Sequence, residues 1–171
     1  MNKILPGLHI GDMCSSTHAK LLERNRITHI LTLHSCDQEV IDHFRHLKVC
    51  CHDTTSDDIT EHVTECFDFI HSARLEGGCV LVSSVRGISR SVAMATMYLT
   101  TVTGKTWADV LGAIRQRRRF ANPNKGFRKQ LDKFQVFRVR DERKKLIKKF
   151  GVCDAFGDTS LVEGLIRFIN F

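Results

Sequence analysis

The stretch VLVSSVRGISRS, from Val80 to Ser91, holds the residues best suited to chemistry. An apolar run gives way to a turn that contains Gly87, and helical spacing begins near Ile88. Successive N–H groups in such a turn face inward as an anion nest, and the start of the helix adds partial positive charge. Gly87 lets the backbone approach an anion with no Cβ in the way. Arg90 can present two parallel N–H donors to two phosphate oxygens, and Ser91 adds a hydroxyl. Arg86 would add further charge if turned inward, although solvent is the commoner place for a loop arginine. The plain alternative is a strand–turn–helix junction with a surface arginine. Ser83 and Ser84 are poor nucleophiles, because a hydroxyl stays protonated unless a base stands beside it.

Other reactive groups offer less. Seven cysteines (Cys14, Cys36, Cys50, Cys51, Cys66, Cys79 and Cys153) form no CxxC pair, and reduced, mostly buried thiols are expected. Cys79, placed within the strand before the turn, and Cys50 and Cys51, on another, read as core filling. His43, His46, Cys50, Cys51 and His52 match no compact zinc pattern, so neither a metal nor a cofactor is expected.

The elements that must position the loop follow from periodicity. RITHILTLHS (Arg26 to Ser35) alternates like a strand, and HLKVCCHD suits a second strand leading into the loop DTTSDD. DITEHVTECFDFIHSARLEGG has helical spacing, with Ile59, Val63, Cys66, Phe67 and Ile70 on one face and Gly77 and Gly78 as its stop. CVLVS suits a strand buried on both faces. ISRSVAMATMYLTT is apolar nearly all round and reads as a buried helix, and TWADVLGAIRQRRR as an amphipathic one capped by Thr106. NPNKGF is a turn, and Gly126 to Phe150 a long basic helix with room for a break. SLVE (Ser160 to Glu163) fits a capping box opening a short amphipathic helix. The alternation argues for an α/β domain whose site lies at the carboxyl ends of its strands. Residues 1–150 form that domain, and 151–171 a C-terminal tail.

At 171 residues the chain has the length of one domain and can bury a core unaided. No apolar run could span a membrane, and MNKILPGLHIGDM lacks the sections of a signal peptide, so a cytoplasmic location is expected, with the nucleus second. A net charge of +7 favours anionic partners: phosphoproteins, nucleic acid or acidic lipid. RQRRRF and RVRDERKKLIKKF carry much of it, and a solvated helix face is their commonest use. With one Trp and one Tyr in the whole chain, stacking platforms for RNA are scarce, and nucleic acid ranks low. The basic helix suits at most weak contact with an anionic membrane.

SSVRGISRS resembles the signature of the cysteine-based protein phosphatases, and specifically of the small atypical dual-specificity phosphatases: His-Cys, five residues, Arg, then Ser or Thr. ILPGLHIGD, RITHILTLH and ANPNKGFRKQL are similar to further segments of that family, so the resemblance covers roughly Lys3 to Phe150. VLVSSVRGISRSVAMATMYL and TVTGKTWADVLGAIR look nearest the subgroup of the JNK-stimulating phosphatase and VHY. The resemblance implies the family's mixed sheet of about five strands flanked by helices on both faces. It implies that Ser84 stands where the family has its nucleophilic cysteine and Ser83 where it has the preceding histidine. Ser84, Val85, Arg86, Gly87, Ile88, Ser89 and Arg90 would form the phosphate loop, and Ser91 supply the hydroxyl after the arginine. Asp53 would be the general acid, with Asp57 and Asp58 less suited; a turn or cap role for Asp53 is the plain alternative.

On that footing the chain is expected to be a pseudophosphatase, a monomer that binds phosphorylated Tyr, Ser or Thr proteins, kinases of the MAP kinase pathways among the candidates, and regulates or scaffolds kinase signalling. An active phosphatase is the alternative, either with residual serine-based activity or with Ser84 engineered as a substrate trap; a trap would not need Ser83. An RNA-binding module on the same fold ranks third. Members of the subgroup often begin Met-Gly and are myristoylated, whereas this sequence begins Met1-Asn2; as written it lacks that site, so either the protein is soluble or its start is truncated.

Overall fold

A computed structural model describes residues 1–35 and 41–167, so Cys36 lies outside the described residues. The chain opens with a hairpin, β1 (Asn2–Leu5) and β2 (Leu8–Asp12), turned by Pro6 and Gly7. Two short helices follow, α1 (Met13–Ser16) and α2 (Ala19–Arg24), then the strands β3 (His29–Leu33) and β4 (Arg45–Val49). A 3-10 turn (Ile59–His62) leads into α3 (Val63–Leu75), and β5 (Val80–Ser84) into α4 (Arg90–Thr103). Four further helices complete the described chain: α5 (Trp107–Arg117), α6 (Lys125–Phe137), α7 (Val139–Phe150) and α8 (Asp158–Arg167). None of them is long and apolar enough to cross a membrane.

The five strands form one mixed sheet in the order β1-β2-β5-β3-β4, antiparallel only between β1 and β2. β5 lies at the centre, so the loop that follows it emerges at the carboxyl edge between β2 and β3. Side chains alternate across the strands. Leu31, Leu33, Val80 and Val82 join the main core under α3 to α7, while Ile30 and Leu81 meet Leu22 of α2 and Ile27 on the opposite face. The alternation in RITHILTLHS therefore does not mark a wet face: every residue of β3 is buried, polar His29 and Thr32 included.

The basic segment after Gly126 is two helices, because Arg138 separates α6 from α7. α4 starts at Arg90, two residues later than the apolar spacing suggests, and all its side chains are buried. Cys79 sits just before β5, and Cys50 and Cys51 just after β4, rather than within those strands. Cys51, Cys66 and Cys153 are buried, Cys79 is half-buried, and Cys14 and Cys50 are exposed. The proposed capping box at Ser160 is not used. α8 begins at Asp158, and the Asp154 carboxylate instead accepts from the N–H groups of Asp158 and Thr159. Asp154, four residues before Asp158, satisfies two of the helix's first N–H groups from outside, and Ser160 already lies inside the first turn.

Burial shifts several histidines towards their neutral form. Burial, reinforced by Lys3 and the chain's amino terminus, lowers His9 to about 4. Burial also lowers His29, His46 and His71. Such a group binds its proton more readily in the unfolded chain, so it stabilises the fold fully above pH 6.5 and less as pH falls towards the folded value. His9 alone should cost about 3 kcal/mol between pH 7 and pH 4. Urea midpoints should therefore fall steadily from pH 7 to 4.5, and less steeply after His9→Gln; a flat profile would contradict this assignment.

Candidate functional site

β5 ends at Ser84, and the chain turns through Val85–Ser89 into α4. Four successive carbonyls in this turn are engaged from outside. Val85 O accepts from Met13 N (3.3 Å), Arg86 O from Arg118 Nη2 (3.4 Å), Gly87 O from Arg118 Nε (2.7 Å) and Ile88 O from Asn122 N (2.8 Å). With the carbonyls drawn outward, intervening N–H groups are left facing the concave side. Among the described residues nothing accepts from the N–H groups of Arg86, Ile88 or Ser89. Gly87 has φ +63°, and a Cβ there would strike the Gly11 carbonyl and the Arg118 guanidinium. Turn conformation and close approach together require glycine.

The serines and Arg90 around this concavity are buried, while Asp53 is exposed. Ser84 Oγ lies 3.0 Å from Ser91 Oγ and 3.4 Å from Ser91 N. Ser83, fully buried, pairs with Thr32 Oγ1 (3.2 Å) and donates to Leu31 O (3.3 Å). Arg90 donates from Nη1 to Cys51 O (2.9 Å), while its Nε is buried without a hydrogen-bond partner. A buried donor left unpaired is costly unless a ligand completes it. Asp53 reaches in from the loop after β4. Its Oδ1 accepts from Ser89 Oγ (2.6 Å) and Asn124 Nδ2 (2.8 Å), and its Oδ2 lies 3.9 Å from Arg90 Nε.

The residues expected to work together are thus gathered in one place: Ser84, Ser89, Arg90, Ser91 and Asp53 at its centre, Gly87 and Ile88 in its wall. Val85 and Arg86 are exposed, so Arg86 takes the solvent side of the turn. Asp57 and Asp58 are used elsewhere. The Asp57 carboxylate accepts from His52 N (2.7 Å), and Asp58 caps the 3-10 turn through Thr60 N (2.9 Å). Against a burial effect that acts upward, the bonds from His52 and the Cys51 thiol lower Asp57. Among the described residues, the buried and half-buried cysteines offer no ready thiolate. Burial, with Asp57 beside it, pushes the Cys51 thiol up to about 12, and burial also raises Cys66 and Cys79.

Two residues that sequence reasoning passed over build the site. Arg118 sits in the run Arg117–Arg119, which reads as solvated charge, yet it alone of the three is buried. It braces two loop carbonyls and donates to Asn2 Oδ1 (2.6 Å). Burial lowers its pKa, and the nearby Asp12 carboxylate opposes that shift. Asn124 appears in sequence as part of a turn. It caps α6 by accepting from Phe127 N (2.9 Å), while its Nδ2 holds Asp53 Oδ1 and Thr54 O. The Asn-Pro-Asn spelling signals a cap, but nothing in it points 71 residues back to Asp53.

The sequence profile described as the catalytic domain of dual specificity phosphatases matches residues 9–137. Dual specificity protein phosphatase 15 of Mus musculus is 42% identical over 151 residues, covering 88% of this chain and 64% of its own length, so the chain spans a little under two thirds of that relative. Dual specificity protein phosphatase 22 of Homo sapiens is 39% identical over the same number of residues, covering 88% of this chain and 82% of that protein. Among solved structures, that of DUSP15 superposes with a TM-score of 0.84 at 42% identity, covering 86% of this chain and 95% of that one. The human tyrosine phosphatase-like serine/threonine/tyrosine-interacting protein gives 0.75 at 31% identity, covering 80% and 95%.

Proposed function

Since the chain belongs to the dual specificity phosphatase family, we propose that it holds phosphorylated Tyr, Ser or Thr side chains of partner proteins without hydrolysing them, as a regulator or scaffold in kinase signalling. The observation that carries this reading is Arg90: a buried guanidinium whose Nε has no hydrogen-bond partner and only a 3.9 Å ion pair with Asp53, beside a turn in which the carbonyls of Val85, Arg86, Gly87 and Ile88 are engaged from outside. Nη1 is anchored on Cys51 O, which leaves the Nε edge to grip two phosphate oxygens while the turn's N–H groups take the third.

The reactive half of the loop does not support turnover. Ser84 takes the place of the family's cysteine, and its hydroxyl has only Ser91 for company. Ser83, in place of the family's histidine, is committed to Thr32 and Leu31 and is no base. Asp53 has one oxygen committed to Ser89 and Asn124. A neutral hydroxyl at the floor also spares a phosphate dianion the repulsion of a thiolate. That one solved relative is described as a phosphatase-like interacting protein supports a binding role for this fold. The position of Asp53 beside Arg90 favours the second reading, a chain that still cleaves phosphate esters.

Calorimetry separates the two. Phosphotyrosine or phosphothreonine peptides should bind, their unphosphorylated forms should not, and no phosphate should be released. Arg90→Ala removes charge-assisted bonds worth about 1.5–3 kcal/mol and should weaken binding about 10- to 100-fold. Equal affinity for the variant, or no binding by the native chain, would overturn the proposal.

A further inference from the structure

The loop that carries Asp53 continues along α6, away from the concavity. Asn124, at the start of α6, holds Asp53 and Thr54. Two residues on, Gly126 lies so close to Thr55 that a Cβ would collide with its backbone. Gln130 then donates from Nε2 to Asp57 O (2.7 Å) and accepts from Ile59 N (3.1 Å), and Arg138 donates to Thr60 O (2.9 Å). Loop and helix thus form a continuous seam that starts at the phosphate-binding turn and ends beside Arg138.

Two surface features follow this seam. Lys125, Lys129 and Lys133 are exposed at i, i+4 and i+8 on α6, so they form one stripe. None of them makes an ion pair among the described residues. At the far end a cleft of about 400 Å³ opens between Ser56 and Thr60 on one side and Gln130, Lys133, Phe134 and Phe137 on the other. Its acidic rim residue, Asp58, is already engaged with Thr60. Phe137 is 74% exposed at this cleft and its neighbour Val136 68% exposed, the two most exposed large apolar side chains among the described residues. The cleft is mixed, with Phe134 and Phe137 among polar side chains, and an exposed aromatic at such a cleft is a common anchor site for a peptide side chain.

We propose that this seam docks the partner's own chain: an extended acidic segment flanking the phosphorylated residue, whose bulky apolar side chain enters the cleft beside Phe137. The proposal rests on the reading that the Ser84–Arg90 turn holds the phosphate. Charge complementarity selects the occupant, because three unpaired lysines line the route from one anchor to the other. Spacing follows from geometry. The 13 residues of α6 rise about 20 Å. An extended peptide covers that distance in about six residues.

The test uses the full chain and phosphotyrosine peptides that carry acidic residues and one leucine, placed six or three positions to either side. Affinities are compared with a phosphopeptide too short to reach the cleft. One of the two six-residue peptides should bind about 10-fold tighter than the short one, and the three-residue peptides should not. Phe137→Ala, at an exposed site, should abolish that gain and leave the short peptide's affinity unchanged; Lys129→Glu with Lys133→Glu should reduce it. A gain that persists in Phe137→Ala, or no gain at either six-residue position, overturns docking while leaving the phosphate reading intact. Failure of the short peptide to bind removes both. Two other results assign the patch to a different occupant and overturn the proposal. One is an effect of Phe137→Ala on sedimentation of the free protein, which indicates a second copy. The other is a loss of binding to phosphatidylserine vesicles with no change towards peptides, which indicates a membrane.

Discussion

On the binding-only reading, Ser84→Cys should turn a chain expected to release no phosphate into one that hydrolyses aryl phosphates. The surroundings a thiolate needs are in place around residue 84. It ends β5 facing the first turn of α4, beside Ser91 N and Oγ, with N–H groups of the turn and the buried cation Arg90 in the same concavity. Such settings draw a thiol down from about 8.5 to below neutrality, so a cysteine there would be ionised at pH 6–7. A serine in the same position keeps its proton. The size of the change follows from hydrolases in general, where removal of the nucleophile costs about 10⁶ in kcat. Restoring it should raise phosphate release by several orders of magnitude. Asp53→Asn in the Ser84→Cys background should lower the rate most for substrates with poor leaving groups, because only those need a proton in the transition state. Adding Ser83→His should raise the rate further and cost stability, since Ser83 sits fully buried between Gly11 and Thr32 on the neighbouring strands. The assay compares native, single and double variants. Turnover by the native chain that Ser84→Ala abolishes would refute the binding-only reading.

That variant could be designed from sequence alone, whereas Arg118 could not have been chosen that way. The β5–turn–α4 unit is local: strand, glycine and helix follow one another, so each neighbour in sequence is a neighbour in space. The same holds for Thr106, which caps α5 by accepting from Asp109 N, three residues on. Arg118 and Asn124 meet the turn only because α5 and α6 pack back onto the carboxyl edge of the sheet. Charge pattern reports no such return, and three consecutive arginines look alike until one of them is buried. Ser160 shows the opposite error. Its spacing to Glu163 satisfies a local rule, but Asp154 reaches the same helix end first, and Glu163 pairs with Lys105 of the α4–α5 connection instead. Local rules were reliable where the chain closes on itself and failed where a distant partner was available.

Asp158→Ala should be the most damaging single change to stability. Arg74 of α3 grips the Asp158 carboxylate with both terminal nitrogens, Nη1 to Oδ2 at 2.6 Å and Nη2 to Oδ1 at 2.9 Å, with side-chain exposures of 1% and 0%. Nη1 also reaches Tyr98 OH (3.3 Å) and Nη2 Pro6 O (2.8 Å), and the ring of Phe156 lies 4.0 Å from the guanidinium carbon. Next to it, His71 bridges Tyr98 OH and Val152 O. Burial acts to lower the Arg74 pKa, but Asp158 and Tyr98 outweigh it and raise it; with Asp158 gone the charge still stays, because a guanidinium is not deprotonated in proteins. Removing the carboxylate strands a buried cation, at a cost of about 3–5 kcal/mol. That is a large share of the about 5–15 kcal/mol by which domains of this kind are stable. Arg74→Met with Asp158→Leu removes both charges and should cost much less than the two single changes combined. Cutting the chain after Phe150 should resemble Asp158→Ala, because Asp158, Phe156 and the Val152 carbonyl all leave together. Urea unfolding of the native chain, Asp158→Ala, the two charge-removing singles, their double and the truncated chain decides it. If the truncated chain is as stable as the native one, Arg74 finds another partner and the segment from 151 to 167 contributes nothing to the core it covers.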